Sequence, residues 1–476
     1  MKTFLSKNGI GSYAVFVSLF LLLLTGCATY YQKNEALMSA VYNSNFESAN
    51  KILSDDVKWE KVKRNRLLFY LNKGTVLWMQ GDYVTSNAYF RKADYFVEDY
   101  NLNMGDAVMT MLVNAKMATY GGESFEQILL HYYGALNYLA LDQPDEALIE
   151  GKRMLEKMQK ITDKYGNKNK YKRDAFAHNL IGLIYDLKGE YNDAFISYRN
   201  AYEVYKTDYI SQFGTNVPLQ LKKDLIRTAK AIGFYEEQHA YETEFNLKAE
   251  DLDKEKGSVL FFWNNGLGPI KDEFSINVTI IDYGNGWVQF VNPELGISIP
   301  YRVENKDQHK DMLAMKIIRL ALPKYITRNP LYARALLQSA NKQTPFELTE
   351  NINAIAYKSL ADRMGKELAV GLMRVALKQL AVYKAQQNKD QQGLAAAAML
   401  YSAISEQADT RNWQLLPYSI NYARMQLDTG NQKIDFMAYN TDNQLGAQKS
   451  FDLNILKGKT KVLSIQTLEF AGFSGN

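Results

Sequence analysis

NLIGLIYDLKGEYNDAFISYRNAY, residues 179–202, sets small and large side chains at fixed offsets. Gly182 leaves room for a second, antiparallel helix to approach. Gly189 breaks the chain between the two helices. Ala194 and Ala201 are small positions on the second helix, and Tyr198 between them fills the space between turns. Tyr185 and Tyr191 complete a set of seven. The stretch predicts a tight helical hairpin.

These offsets resemble the tetratricopeptide repeat (TPR). A second copy, YLNKGTVLWMQGDYVTSNAYFRKA (70–93), matches at Gly74, Gly81, Tyr83, Phe90 and Ala93, with Ser86 in place of an alanine. A weaker one, HYYGALNYLALDQPDEALIEGKRM (131–154), keeps Ala135, Tyr138 and Ala147 but has Gly151 where an aromatic belongs. Tyr31–Leu53 reads as a degenerate first hairpin and residues 217–246 as a final helix pair. The copies are 61 and 47 residues apart, longer than the roughly 34 of a tandem array, so segments such as Met104–Tyr120 and Gly166–Asp174 interrupt the stack. The expected domain, residues 27–250, is an irregular solenoid whose concave face receives a protein partner.

At Gly257 the pattern changes. SVLFFW (258–263), FSINVTII (274–281), GWVQFV (286–291) and GISIPYRV (296–303) read as strands separated by Gly- and Asn-rich turns. MKIIRLALPKYITRN (315–329) reads as a strand pair bent at Pro323. SINYARMQL (419–427), KIDFMAYN (433–440) and TKVLSIQTL (460–468) are expected to join the 258–303 strands in one sandwich, formed by residues 251–345 and 409–476. Residues 346–408 are expected as an insertion of amphipathic and apolar helices. From Asn351 to about Ala385, Leu360, Met364, Leu368, Leu372, Val375 and Leu380 form an apolar stripe, opposite an exposed basic face of Lys358, Arg363, Lys366, Arg374, Lys378 and Lys384, expected either to be solvated or to meet an anionic surface such as glycan-peptide or lipid headgroups. GLAAAAMLYSAI (393–404) is expected as a second helix, buried or in contact with a membrane partner, and is too short to cross a membrane. The fold class predicted is α+β: a TPR-like helical solenoid followed by a β-sandwich-like domain with an inserted helical pair.

The chain's one cysteine follows a basic start (Lys2, Lys7) and an apolar run of about a dozen residues. Leu24-Thr25-Gly26-Cys27 resembles a bacterial lipobox. The resemblance implies a signal peptide at 1–26 and a Cys27 carrying lipid on its thiol and an acyl chain such as palmitate on its new amine. Several acyl chains hold a protein to a membrane far more tightly than one. With no second cysteine, no intramolecular disulfide forms. Ala28 in place of Asp points to the outer membrane, and the absence of an acidic run after it to the periplasmic side.

Removing Lys2 and Lys7 from the 56 basic residues leaves 54 against 52 acidic, which argues against nucleic acid as a partner. His131, His178, His239 and His309 have no metal-ligand spacing, so no metal or cofactor is expected. His131 and His178 take the aromatic first position of their repeats. GLGPIK lacks phosphate-loop spacing and reads as a turn, or as a rigid surface loop for recognition. No nucleophile elbow occurs, so no catalytic residue is assigned and a non-enzymatic role is expected. Asp409, Arg411 and Trp413 form the most specific polar–aromatic cluster, expected either to cover the sandwich edge or to contact a peptide or glycan.

VLFFWNNGLGPIKDEFSINV, INAIAYKSLADRMGKELAVGLMRVALKQL and ADTRNWQLLPYSINYARMQLDTGNQ together resemble a family of bacterial TPR outer-membrane lipoproteins whose function is uncharacterised. Its members are often associated with activator lipoproteins of peptidoglycan synthases. The resemblance implies an envelope adaptor with an unidentified protein partner, or a regulator of peptidoglycan synthesis acting on a synthase or its activator. A cell-wall hydrolase is the remaining alternative.

Overall fold

The computed structural model describes residues 30–55, 60–102, 118–165, 173–250, 253, 255–387 and 407–475. Cys27, the helix expected at 393–404 and most of the two interrupting segments lie outside them.

Among the described residues, five helical pairs follow one another: α1 (Glu35–Tyr42) with α2 (Phe46–Asp55), α3 (Arg66–Gln80) with α4 (Tyr83–Leu102), α5 (Ser124–Ala140) with α6 (Pro144–Tyr165), α7 (Ala175–Leu187) with α8 (Tyr191–Val204), and α9 (Leu219–Ala231) with α10 (Tyr235–Phe245). Gly81 and Gly189 take left-handed conformations at φ 83° and 76° and end the first helices of their pairs. A Cβ on Gly182 would lie 2.5 Å from the buried Tyr198 ring, and one on Gly74 2.9 Å from Phe90. These two pairs are thus keyed by a glycine on one helix and an aromatic ring on the other. The third copy departs for a visible reason. A Cβ on Gly151 would sit 2.9 Å from Ile181 of α7, so the next pair fills the space an aromatic would take.

The strands form three sheets, not one sandwich. Strand β1 (Gly257–Asn265) lies between β12 (Thr460–Thr467), its parallel neighbour, and β9 (Ser419–Leu427), which also pairs with β8 (Glu347–Asn351). A second sheet runs in the order β11 (Leu445–Ile455), β10 (Gly430–Asn440), β6 (Tyr332–Ser339), β7 (Lys342–Pro345). These two make the sandwich. The third sheet, β13 (Phe470–Gly475), β5 (Ile317–Pro330), β2 (Ile270–Gly284), β3 (Trp287–Asn292), β4 (Ile297–Arg302), takes the 274–303 strands away from it. Helix α11 (Lys306–Ala314) links β4 to β5, and the core of this sheet is closed by a longer helix: Leu320 packs with Leu372 and Val375. Pro323 does not bend β5 into a pair. It faces Glu273 across β2, where β13, which reaches only Ile326, leaves the other side of β5 open.

Residues 347–351, expected within the helical insertion, form β8. A single 36-residue helix follows, α12 (Ile352–Gln387). Its basic face is not uniformly exposed. Arg363 pairs with the buried Glu123, and Arg374 is buried. One end of α12 packs on the helical core and the other on the third sheet, while Met373 and Leu377 stay exposed. A Cβ on Gly371 would meet Leu320 at 2.7 Å, a close approach that only glycine permits.

Every residue of β1 is buried. Leu260 and Phe262 face the helices, while Val259, Phe261 and Trp263 face the second sheet. Helices, first sheet and second sheet are therefore three layers, and a strand covered on both faces reads as a continuous apolar run.

Candidate binding groove

The first helix of each of the last four pairs faces the chain's own sheet or the 408–418 segment. On α5, 14 of 17 residues are buried. The Tyr132 hydroxyl donates to Asn264 Oδ1 of β1 at 2.8 Å. On α7 and α9, Asp186 and Asp224 receive Arg424 of β9, each at 2.7 Å. Arg227 of α9 pairs with both, and all four side chains are buried. The two guanidiniums hold the Asp186 carboxyl below the usual range, although burial alone would raise it. The face expected to receive a partner is filled from within. Its residues are apolar or paired across to the strands, so they have no need of a second protein.

Asp409, Arg411 and Trp413 belong to this closure. Trp413 does not cover the sandwich edge. Its indole is 1 % exposed and lies between helix pairs, with centroids 5.5 Å from Tyr133 and 5.9 Å from Phe90. Its Nε1–H donates to Thr75 Oγ1 at 3.1 Å, and its backbone N–H to Glu126 Oε1 at 2.6 Å. Arg411 pairs with Asp409 at 2.7 Å and donates to the Arg64 and Ala118 carbonyls at 2.8 and 3.0 Å. The Gly-Leu-Gly-Pro turn is buried against the same segment: Gly268 N–H donates to the Leu416 carbonyl at 2.7 Å, and Asn412 to that of Pro269 at 2.8 Å. A surface role for that turn is excluded.

Beside Trp413, burial and then the Glu123 charge push Glu126 up to about 7. Glu123 itself is held down by Arg363 and Lys271, against its burial. Perturbed carboxylates mark active sites only where a cleft admits substrate. These are buried among protein groups and brace the helix–sheet junction.

His131 is likewise internal. Its Nδ1 lies 2.7 Å from Glu150 and its Nε2 3.5 Å from Asp94, with Lys157 and Arg153 bound to the same carboxylates. Burial alone would lower its pKa, but hydrogen bonds to Asp94 and Glu150, with their charges, hold it above 6.5. A histidine raised in the folded state stabilises fully below its unfolded value, about 6.5, and loses that contribution as pH rises through the folded value. Urea midpoints of the wild type are therefore expected to fall, as pH rises from 6 through the raised folded-state value, more than those of His131→Gln. Parallel profiles would contradict this. Burial, with a smaller contribution from Arg173, lowers His178 to about 4. Among the described residues no group of three His, Cys, Asp or Glu is placed to hold a metal ion, and no helix is long and apolar enough to cross a membrane.

One sizeable groove, about 390 Å³, runs along the side of the sandwich. Its floor is where the edge strands of the two packed sheets, β12 and β11, lie side by side. Its wall is the ends of the helical hairpins, with Phe46, Trp78 and Tyr83. Lys449 and Phe451 of β11 and the 461–466 run of β12 complete it. Of the lining residues, Gly81 and Tyr83 are repeat positions and 461–466 falls in the strand expected at 460–468, but no local pattern places these segments, some 400 residues apart, beside one another.

No protein-family model and no curated protein matches the chain. Among solved structures it is similar in part to MamA, at 13% identity over 46% of this chain and 92% of that one, TM-score 0.27. It is also similar to the apo form of RapI (14%, 49% and 58%, TM-score 0.33) and to TPR-like repeats of a putative kinesin light chain from Podosopora anserina (15%, 45% and 88%, TM-score 0.28). Likenesses this distant carry no inference about function.

Proposed function

We propose that the chain is a lipid-anchored, periplasm-facing outer-membrane protein that serves as a protein-binding adaptor in the cell envelope. The groove beside β12 carries the reading. It joins apolar rings to a strand edge and is open, whereas the inner helical face is closed. The lipobox-like Leu24–Cys27 supports the anchor, and the three sequence blocks support the envelope setting. Regulation of peptidoglycan synthesis is the weaker reading, because the basic face of α12 that suggested an anionic target is partly turned inward at Arg363 and Arg374.

Cys27→Ala is expected to move the chain from the outer-membrane fraction to the soluble periplasm and to abolish its role. Lys449→Glu with Lys461→Glu is expected to abolish the role while leaving anchoring and abundance unchanged. Full function from a soluble Cys27→Ala chain would overturn the anchored reading. Full function from the double charge reversal would overturn the groove.

A further inference from the structure

Among the described residues, strand β12 pairs on one side only, with β1, and β1 on its other side is taken by β9. Along β12, every second residue turns its N–H and C=O away from β1. Among the described residues, none of these backbone groups bonds to backbone outside the sheet. An edge of this kind is a template for another extended chain. Here it lies inside a groove, over residues 461–466, a length of about 20 Å.

The two sides of the groove differ. Val462 packs toward the helices, so Ser464 and Gln466 share that side, which meets Phe46, Trp78 and Tyr83. Leu463 and Ile465 pack toward the second sheet, so Lys461 shares their side, close to Lys449 and Phe451. Lys449 and Lys461 are exposed, and neither has a carboxylate partner among the described residues. Among the described residues, no acidic residue lines the groove. Lysine on a sheet edge deters unselective pairing, and a guest that brings carboxylates offsets it. Trp78, 5 % exposed, also has an indole Nε1–H without a hydrogen-bond partner among the described residues.

We propose that the groove takes an extended segment of a partner protein that adds as a strand along β12 and alternates apolar with acidic side chains. This rests on the groove being the binding site. The apolar side chains lie against Trp78, Tyr83 and Phe46, and the acidic ones against Lys449 and Lys461. Main-chain bonds supply affinity and the alternation supplies specificity.

The test uses the full chain purified from cells and a phage-displayed library of random 12-residue peptides. Selected peptides are then synthesised, with N-methyl groups on alternate residues in each of the two registers. Enrichment of alternating apolar–acidic sequences is expected. Methylation in one register only is expected to weaken binding about tenfold or more, because only that register turns its N–H groups to β12. Lys449→Glu with Lys461→Glu is expected to weaken it by about tenfold and to shift selection toward basic peptides. Groove-dependent binding that tolerates methylation in both registers would overturn strand addition and leave the groove reading standing. Peptides that all bind regardless of the groove substitutions, or none at all, would overturn both. A dimer of the chain that competes with the peptides would overturn the acidic-partner proposal by placing a second copy on β12.

Discussion

Arg424→Ala is expected to destabilise the chain by about 3–5 kcal/mol, read as a fall in the urea midpoint. Arg424 is buried between Asp186 and Asp224, 2.7 Å from each, and is the sheet's contribution to a cluster of two acids and two arginines. Its removal leaves two buried carboxylates sharing one guanidinium, that of Arg227, at the junction of α7, α9 and β9. A buried pair contributes little beyond an apolar replacement, but half a pair is costly, because the remaining charge has lost both water and partner. Arg424→Met together with Asp224→Leu, which removes one charge of each sign, is expected to recover more than half of the loss. A single substitution costing under about 1 kcal/mol would show that water reaches the cluster.

Trp413→Ala is expected to cost about 3–5 kcal/mol, the range for a large buried side chain whose site cannot collapse. Tyr133 and Phe90 are themselves buried and held on α5 and α4, so they cannot close the space. The loss also leaves Thr75 without the indole donor. Trp413→Phe keeps most of the volume and is expected to cost about half as much. Calorimetry of the three chains measures this. Equal stability of Trp413→Ala and the wild type would show that the segment does not anchor in the helical layer.

The helical pairs were legible because each hairpin carries its packing locally: Gly182 and Tyr198 are 16 residues apart and touch. The α+β class was legible from the change of pattern at Gly257. The division into three sheets was not. β1 pairs with a strand 202 residues later, Ser258 opposite Thr460, and nothing in either segment names its neighbour. Asp186, Asp224 and Arg227 sit on helices where charge normally faces water, so their burial depends on Arg424, some 200 residues away. The block around Asp409, Arg411 and Trp413 was recognisable as a cluster but not as the plug between layers, because its partners Thr75 and Glu126 belong to two different hairpins. The groove was invisible for the same reason. It is the gap left between elements, not a property of any one of them.

Amide hydrogen exchange on the full chain, followed by mass spectrometry, tests most directly whether the inner helical face is closed by the chain's own sheet. Peptides from α5 (124–140) and β1 (257–265) are expected to be protected to a similar degree, and Trp413→Ala to release both together. Rapid exchange of α5 beside a protected β1, unchanged by Trp413→Ala, would show an open helical face and return it as the binding surface.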